Sequence, residues 1–141
     1  MGTIEKRCVL VPAAEAAEGR TGVTYAAGIS AASAGARGLC LQLASLPPGA
    51  RSRAHQHDDH ESAAYVVAGA MALWFGEHLE HHVVAGPGDF LYIPEGLPHL
   101  VLNPSDTEPA LAVLARTDPQ AQEDVTELPA LDDIPHLPPR P

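Results

Sequence analysis

Apolar residues along this chain come in short bursts rather than at helical spacing. From Thr21 onward the bursts recur at close intervals, separated by Gly, Pro and Asp, the texture of many short strands. The pattern predicts strands over 22–29, 37–46, 50–57, 61–68, 70–76, 80–85, 89–94, 98–103 and 109–117. Breaks fall at Pro47-Pro48-Gly49, Gly69, Gly76-Glu77, Gly86-Pro87-Gly88, Pro94-Glu95-Gly96 and Asn103-Pro104-Ser105-Asp106. Gly supplies positive φ in such turns and Pro presets φ near the turn value.

Several predicted strands are apolar on both faces: Leu39 to Leu46, Leu91 to Ile93 and Leu111 to Leu114. That implies an all-β barrel or sandwich whose inner face forms a core and whose outer face meets another sheet or subunit. The expected domain is 21–117. Residues 1–20 form an N-terminal arm, with a helical turn or an irregular path over Ala13 to Glu18. Residues 118–141 are Pro- and acid-rich, expected as a tail extended on the barrel or a partner and partly disordered.

At 141 residues the chain is long enough for one core and too short for two. Aromatic residues make up only 4%, so aliphatic side chains must fill most of the interior. A formal charge of -10 sets the surface against nucleic acid and anionic lipid, and neither is an expected partner. Cys8 and Cys40 form no CxxC and no disulfide framework, and are expected as buried free thiols. Met1 to Leu10 carries Glu5, Lys6 and Arg7 without a leader-like apolar run, and no segment has spanning length, so a cytoplasmic location is expected.

Seven of the eight histidines fall between residues 55 and 99. His55 and His57 stand two apart, so on a strand both rings project to one side. Glu61 follows after an acidic turn, and His99 opens a later strand just after Pro94-Glu95-Gly96-Leu97-Pro98. Three neutral imidazoles and a carboxylate suit one divalent Fe, Zn, Mn, Ni, Co or Cu ion, and ligand type does not choose among these. The expected metal ligands are His55, His57, Glu61 and His99, with open positions left for water, substrate or dioxygen.

Two segments carry a resemblance. The first runs Gly49, five residues, His55-Gln56-His57, three residues, Glu61, seven residues, Gly69. The second runs Gly88, five residues, Pro94-Glu95-Gly96, two residues, His99, three residues, Asn103. They resemble the two signature motifs of the cupin superfamily, with a short intermotif segment of microbial type. The resemblance implies a single-domain double-stranded β-helix, or jelly-roll-like barrel, and a homodimer. Glu61 and Gly69 stand one residue further apart than is usual in the family. A strand bulge that absorbs the extra residue keeps Glu61 inward. A register shift puts Ser62 there and leaves a three-histidine site, with His60 a further competitor.

Other residues carry weaker signals. Arg53 and Arg51 share strand parity with His55, and an arginine at the cavity mouth can grip a substrate carboxylate. Gln42 lies between Leu41 and Leu43 and is a candidate for orienting substrate from inside. Arg53 and Gln42 are therefore the candidate substrate-orienting residues. His78, His81 and His82 read as solvated residues on a turn and an edge strand, His136 as incidental, and Asp58 and Asp59 as an exposed turn. Tyr65, Trp74, Phe90 and Tyr92 are expected in the core. No phosphate loop, GxSxG or Cys/His nucleophile pair is present, so chemistry is expected to run through the metal.

Cupins span dioxygenases, isomerases, epimerases, decarboxylases, sugar-binding modules and storage proteins, so the fold leaves the reaction open. The leading expectation is a mononuclear metal enzyme acting on a small organic molecule, most simply an Fe(II)-dependent oxygenase. One alternative is non-redox chemistry at zinc or a similar ion: isomerisation, a lyase reaction or an intramolecular rearrangement, including nitrogen–nitrogen bond formation. Another is a non-catalytic ligand-binding barrel.

Overall fold

The computed structural model describes residues 6–13, 16–18, 23–120 and 125–138. Among the described residues, eleven strands build two antiparallel sheets. They are β1 (Ala16–Glu18), β2 (Thr24–Ile29), β3 (Cys40–Leu46), β4 (His55–Gln56), β5 (Ser62–Ala68) and β6 (Met71–Phe75). Then come β7 (His81–Ala85), β8 (Phe90–Ile93), β9 (His99–Leu102), β10 (Ala110–Arg116) and β11 (Thr126–Glu127). One sheet has the order β1-β2-β3-β10-β5-β8, the other β11-β4-β9-β6-β7. The all-β expectation is met, and each of the nine expected strands overlaps an observed one.

Alternation explains the layers. Along β3, Cys40, Gln42, Ala44 and Leu46 are buried while Leu41 and Leu43 are exposed. Val23, Ala44, Leu46, Met71, Ala110 and Ala112 form the core between the sheets. A second cluster, Ala54, Ala72, Leu79, Leu100, Leu102 and Leu137, lies on the other face of the five-stranded sheet. Leu128, Leu131 and Ile134 of the C-terminal segment pack against it. That segment is thus the cover of an otherwise bare apolar face.

Two turn residues of the motifs have evident physical tasks. Gly69 joins β5 to β6 at φ +72°, and an added Cβ would lie 2.9 Å from Ala110 Cα and collide with the Pro109 carbonyl. Buried Asn103 donates its amide to the carbonyls of Leu46, Pro47 and Glu108 at 3.2, 3.3 and 2.8 Å. It staples the loop after β9 to the end of β3.

Four expectations change. Within the Ala13 to Glu18 stretch, residues 16–18 form a strand paired with β2 instead of a helical turn, and residues 14–15 lie outside the described set. The expected strand over 50–57 shrinks to His55–Gln56 because the chain bends at Ala54, whose N–H turns to Asp132. Cys40 is buried but Cys8 is exposed. Tyr65, Phe90 and Tyr92 lie on the outer face of the six-stranded sheet, not in the core. In the tail, residues 121–124 and 139–141 lie outside the described set. No helix among the described residues is long and apolar enough to cross a membrane.

Candidate metal centre

The register of the five-stranded sheet sets His55 of β4 directly opposite His99 of β9. His57 follows two residues after His55, and the three rings meet inside the barrel. Their centroids stand 5.0 Å (His55–His57), 4.4 Å (His55–His99) and 5.3 Å (His57–His99) apart. One nitrogen from each ring lies within 4.8 Å of the others, and all three residues are buried.

Backbone carbonyls orient two of the rings. His55 Nδ1 stands 2.7 Å from the Arg53 carbonyl and His99 Nδ1 2.9 Å from the Leu97 carbonyl. A carbonyl only accepts, so each Nδ1 carries the proton and each Nε2 is left as the lone-pair donor. Metal-ligating imidazoles are held in this way. Burial, then the neighbouring His55, push the His99 pKa down to about 3, against the opposing Leu97 carbonyl. A neutral imidazole pushed against its neighbours at close range is a donor set that fits a divalent cation.

Glu61, the fourth expected ligand, is not among the residues whose ligand atoms converge here. A bulge is present in β5: the step from Leu111 to Ala112 on β10 spans Ala68 to Val66, which leaves Val67 extra. The bulge does not turn Glu61 inward. Upstream of it the alternation runs unbroken from buried Ser62 to buried Val66. Glu61, one residue before Ser62, therefore faces outward and accepts a hydrogen bond from the Tyr92 hydroxyl at 3.0 Å. That bond raises the Tyr92 pKa above its usual value. Ser62 takes the inward position and lines the cavity beside the histidines. His60 is buried behind His57, 4.7 Å between ring centroids, with Nδ1 3.8 Å from Asp118.

The two candidate substrate-orienting residues also sit elsewhere. The bend at Ala54 breaks the parity that put Arg53 inward. Arg53 is exposed and pairs with Glu127 of β11 at 3.1 Å. Arg51 is buried against the C-terminal segment, donating to the carbonyls of Asp132 and Pro138 at 2.6 and 2.7 Å. Gln42 is buried, but its Oε1 accepts from Arg116 at 3.1 Å and it does not line the cavity. Sequence reasoning missed Arg116, a buried cation that also donates to Cys40 Sγ and the Gln120 carbonyl. Its parity with Ala112 and Leu114 was the available signal. His78, His81 and His82 are exposed, as expected, although His82 stacks on Trp74 at 4.3 Å. His136 has a partner, the Leu79 carbonyl at 2.8 Å.

Residues 42–115, just over half of the chain, match the family model described as Cupin domain. The chain belongs to the cupin family. No curated protein matches it. Among solved structures, Bacillus subtilis oxalate decarboxylase, a protein with Mn(II) centres, aligns at TM-score 0.68 and 20% identity, covering 91% of this chain and 34% of that one. A sugar phosphate isomerase of the cupin superfamily from Silicibacter pomeroyi aligns at 0.58 and 22% identity, covering 76% and 71%. Recombinant oxalate oxidase in complex with glycolate aligns at 0.63 and 19% identity, covering 77% and 56%. At these identities the likeness shows a shared fold. This chain spans about a third of the length of oxalate decarboxylase.

Proposed function

We propose that this protein is a mononuclear metal-dependent cupin enzyme acting on a small organic molecule, most simply an Fe(II)-dependent oxygenase. The observation that carries the reading is the convergence of His55, His57 and His99 within 4.8 Å, buried at one cavity. Iron bound there supplies Lewis acidity and electrons for dioxygen chemistry. The chain itself holds the His99 imidazole neutral, sets two Nε2 atoms inward through the Arg53 and Leu97 carbonyls, and walls the site with apolar side chains that exclude water. The Mn(II) centres of oxalate decarboxylase, a structural neighbour, support a resident metal.

One observation favours a non-redox alternative. Three neutral imidazoles without a carboxylate are also a set that holds zinc with one position open, suited to isomerisation, lyase chemistry or rearrangement. Elemental analysis of the untagged protein beside His99→Ala, followed by dioxygen uptake with candidate substrates, separates the two. Near-stoichiometric iron, lost in the variant, with substrate-dependent dioxygen uptake supports the oxygenase. Stoichiometric zinc and anaerobic turnover support the alternative. No metal in either protein after reconstitution overturns both.

We further propose a homodimer closed through the outer face of the six-stranded sheet. Leu43, Val113, Tyr65 and Phe90 form one cross-strand row there, by the register of β3, β10, β5 and β8. Phe90 is 78% and Tyr92 63% exposed in the single chain, a patch that a partner of the same kind would cover. We also propose a cytoplasmic location, since the sequence has only two cysteines and no dense disulfide framework.

A further inference from the structure

We infer that the substrate of this site is a small, uncharged or singly charged molecule that chelates through one end and carries an apolar body, not a dianion or a phosphorylated sugar. The inference rests on the metal-centre reading above and adds the substrate class.

The three histidines stand in the wall of a cavity of about 70 Å³. One water needs roughly 10–15 Å³ by the same kind of measure, so a handful of heavy atoms fit. Apart from the histidines, Ser62 and Tyr25, every lining residue is apolar, among them Leu46, Met71, Leu73, Leu91, Ile93 and Leu114. These side chains come from both sheets, so apolar surface faces the triad from opposite sides.

Charge decides the class. Among the described residues, no Arg, Lys, Asp or Glu lines the cavity. Arg116 directs its guanidinium to Gln42, Cys40 and the Gln120 carbonyl. Arg51 and Arg53 direct theirs to the C-terminal segment. A chelating head placed on the ion is compensated by the ion itself. A second carboxylate or a phosphate further in would meet Leu, Ile and Met with no cation to pair it, and burying an unpaired charge is costly. An alkyl or aryl body in the same place gains roughly 0.8 kcal/mol per buried methylene, about fourfold in affinity.

The test uses the full chain loaded anaerobically with Co(II), whose visible spectrum reports exchange of the open positions. The probes are straight-chain hydroxamates from acetohydroxamate to hexanohydroxamate, with oxalate and glucose 6-phosphate for comparison. The expected result is affinity rising two- to fourfold per methylene until the chain outgrows the cavity, with both dianions weaker than acetohydroxamate. Val101→Thr, which nearly keeps the side-chain volume while adding a hydroxyl to the cavity wall, is expected to flatten the series. A flat series in the wild-type protein, or oxalate or the sugar phosphate binding more tightly than butyrohydroxamate, overturns the inference. Failure to take up Co(II) overturns the metal-centre reading itself, and the two failures are distinct because loading is measured before any probe is added.

Discussion

The backbone N–H of Ala54 donates to Asp132 Oδ1 at 2.7 Å, which ties the C-terminal segment to the residue just before His55. The same carboxylate oxygen stands 3.3 Å from Arg51, and both side chains of that pair are almost fully buried. Between Arg51 and Ala54 lies Arg53, whose carbonyl orients the His55 ring. The C-terminal segment thus holds in place the stretch of chain that aims one of the three imidazoles.

Asp132→Ala is therefore expected to do two things. Removing one partner of a buried ion pair costs about 3–5 kcal/mol of stability, read by denaturant unfolding. Loosening the support of a ligand costs about 10- to 100-fold in metal affinity, read by metal titration. Asp132→Asn keeps an oxygen acceptor for the Ala54 N–H and is expected to recover most of the metal affinity even where stability stays low. Equal metal affinity in wild type and Asp132→Ala would sink the link between the tail and the site.

The metal-free protein is expected to lose stability as pH falls through the range where His99 differs between states. In the unfolded chain His99 protonates near pH 6.5, whereas in the fold it does so only near pH 3. Between these values the unfolded state holds the extra proton, so unfolding becomes easier as pH falls. The contribution is whole above about pH 6.5 and gone near pH 3. Thermal melts of the apo protein and His99→Gln across this range check it, and the variant should show the shallower dependence.

Glu61→Gln is expected to leave metal content unchanged, while His57→Ala abolishes it. The Glu61 substitution should instead lower the Tyr92 pKa, because the carboxylate hydrogen bond is the main cause of its elevation. Elemental analysis and an ultraviolet titration of the phenols read both effects. Loss of metal in Glu61→Gln would mean that the carboxylate swings inward on loading.

Phe90→Glu is expected to convert a dimer into a monomer without disturbing the fold, since Phe90 is largely exposed and packs on Tyr65 with ring centroids 4.9 Å apart. Light scattering of both proteins at matched concentration measures it. A wild-type monomer would remove the dimer proposal.

Much of this protein was legible in order of residues alone. Short apolar bursts between Gly and Pro breaks set out the strands, because strand alternation and turn chemistry are local properties. His55 and His57 were readable as a pair for the same reason, and the two motifs placed His99 with them. Three-dimensional structure decided which neighbours of the motif face inward. Whether Glu61 or Ser62 points to the cavity depended on where β5 takes up its extra residue, and pairing with β8 and β10 put the bulge at Val67. Arg53 lies exposed beside Glu127, past a bend at which the N–H of Ala54 bonds to Asp132, a residue seventy-eight positions away. No local pattern encodes such a contact. Strand period and turn residues are written into the order of the side chains, whereas the facing of a polar residue at a strand end is set by whichever distant partner satisfies the backbone there.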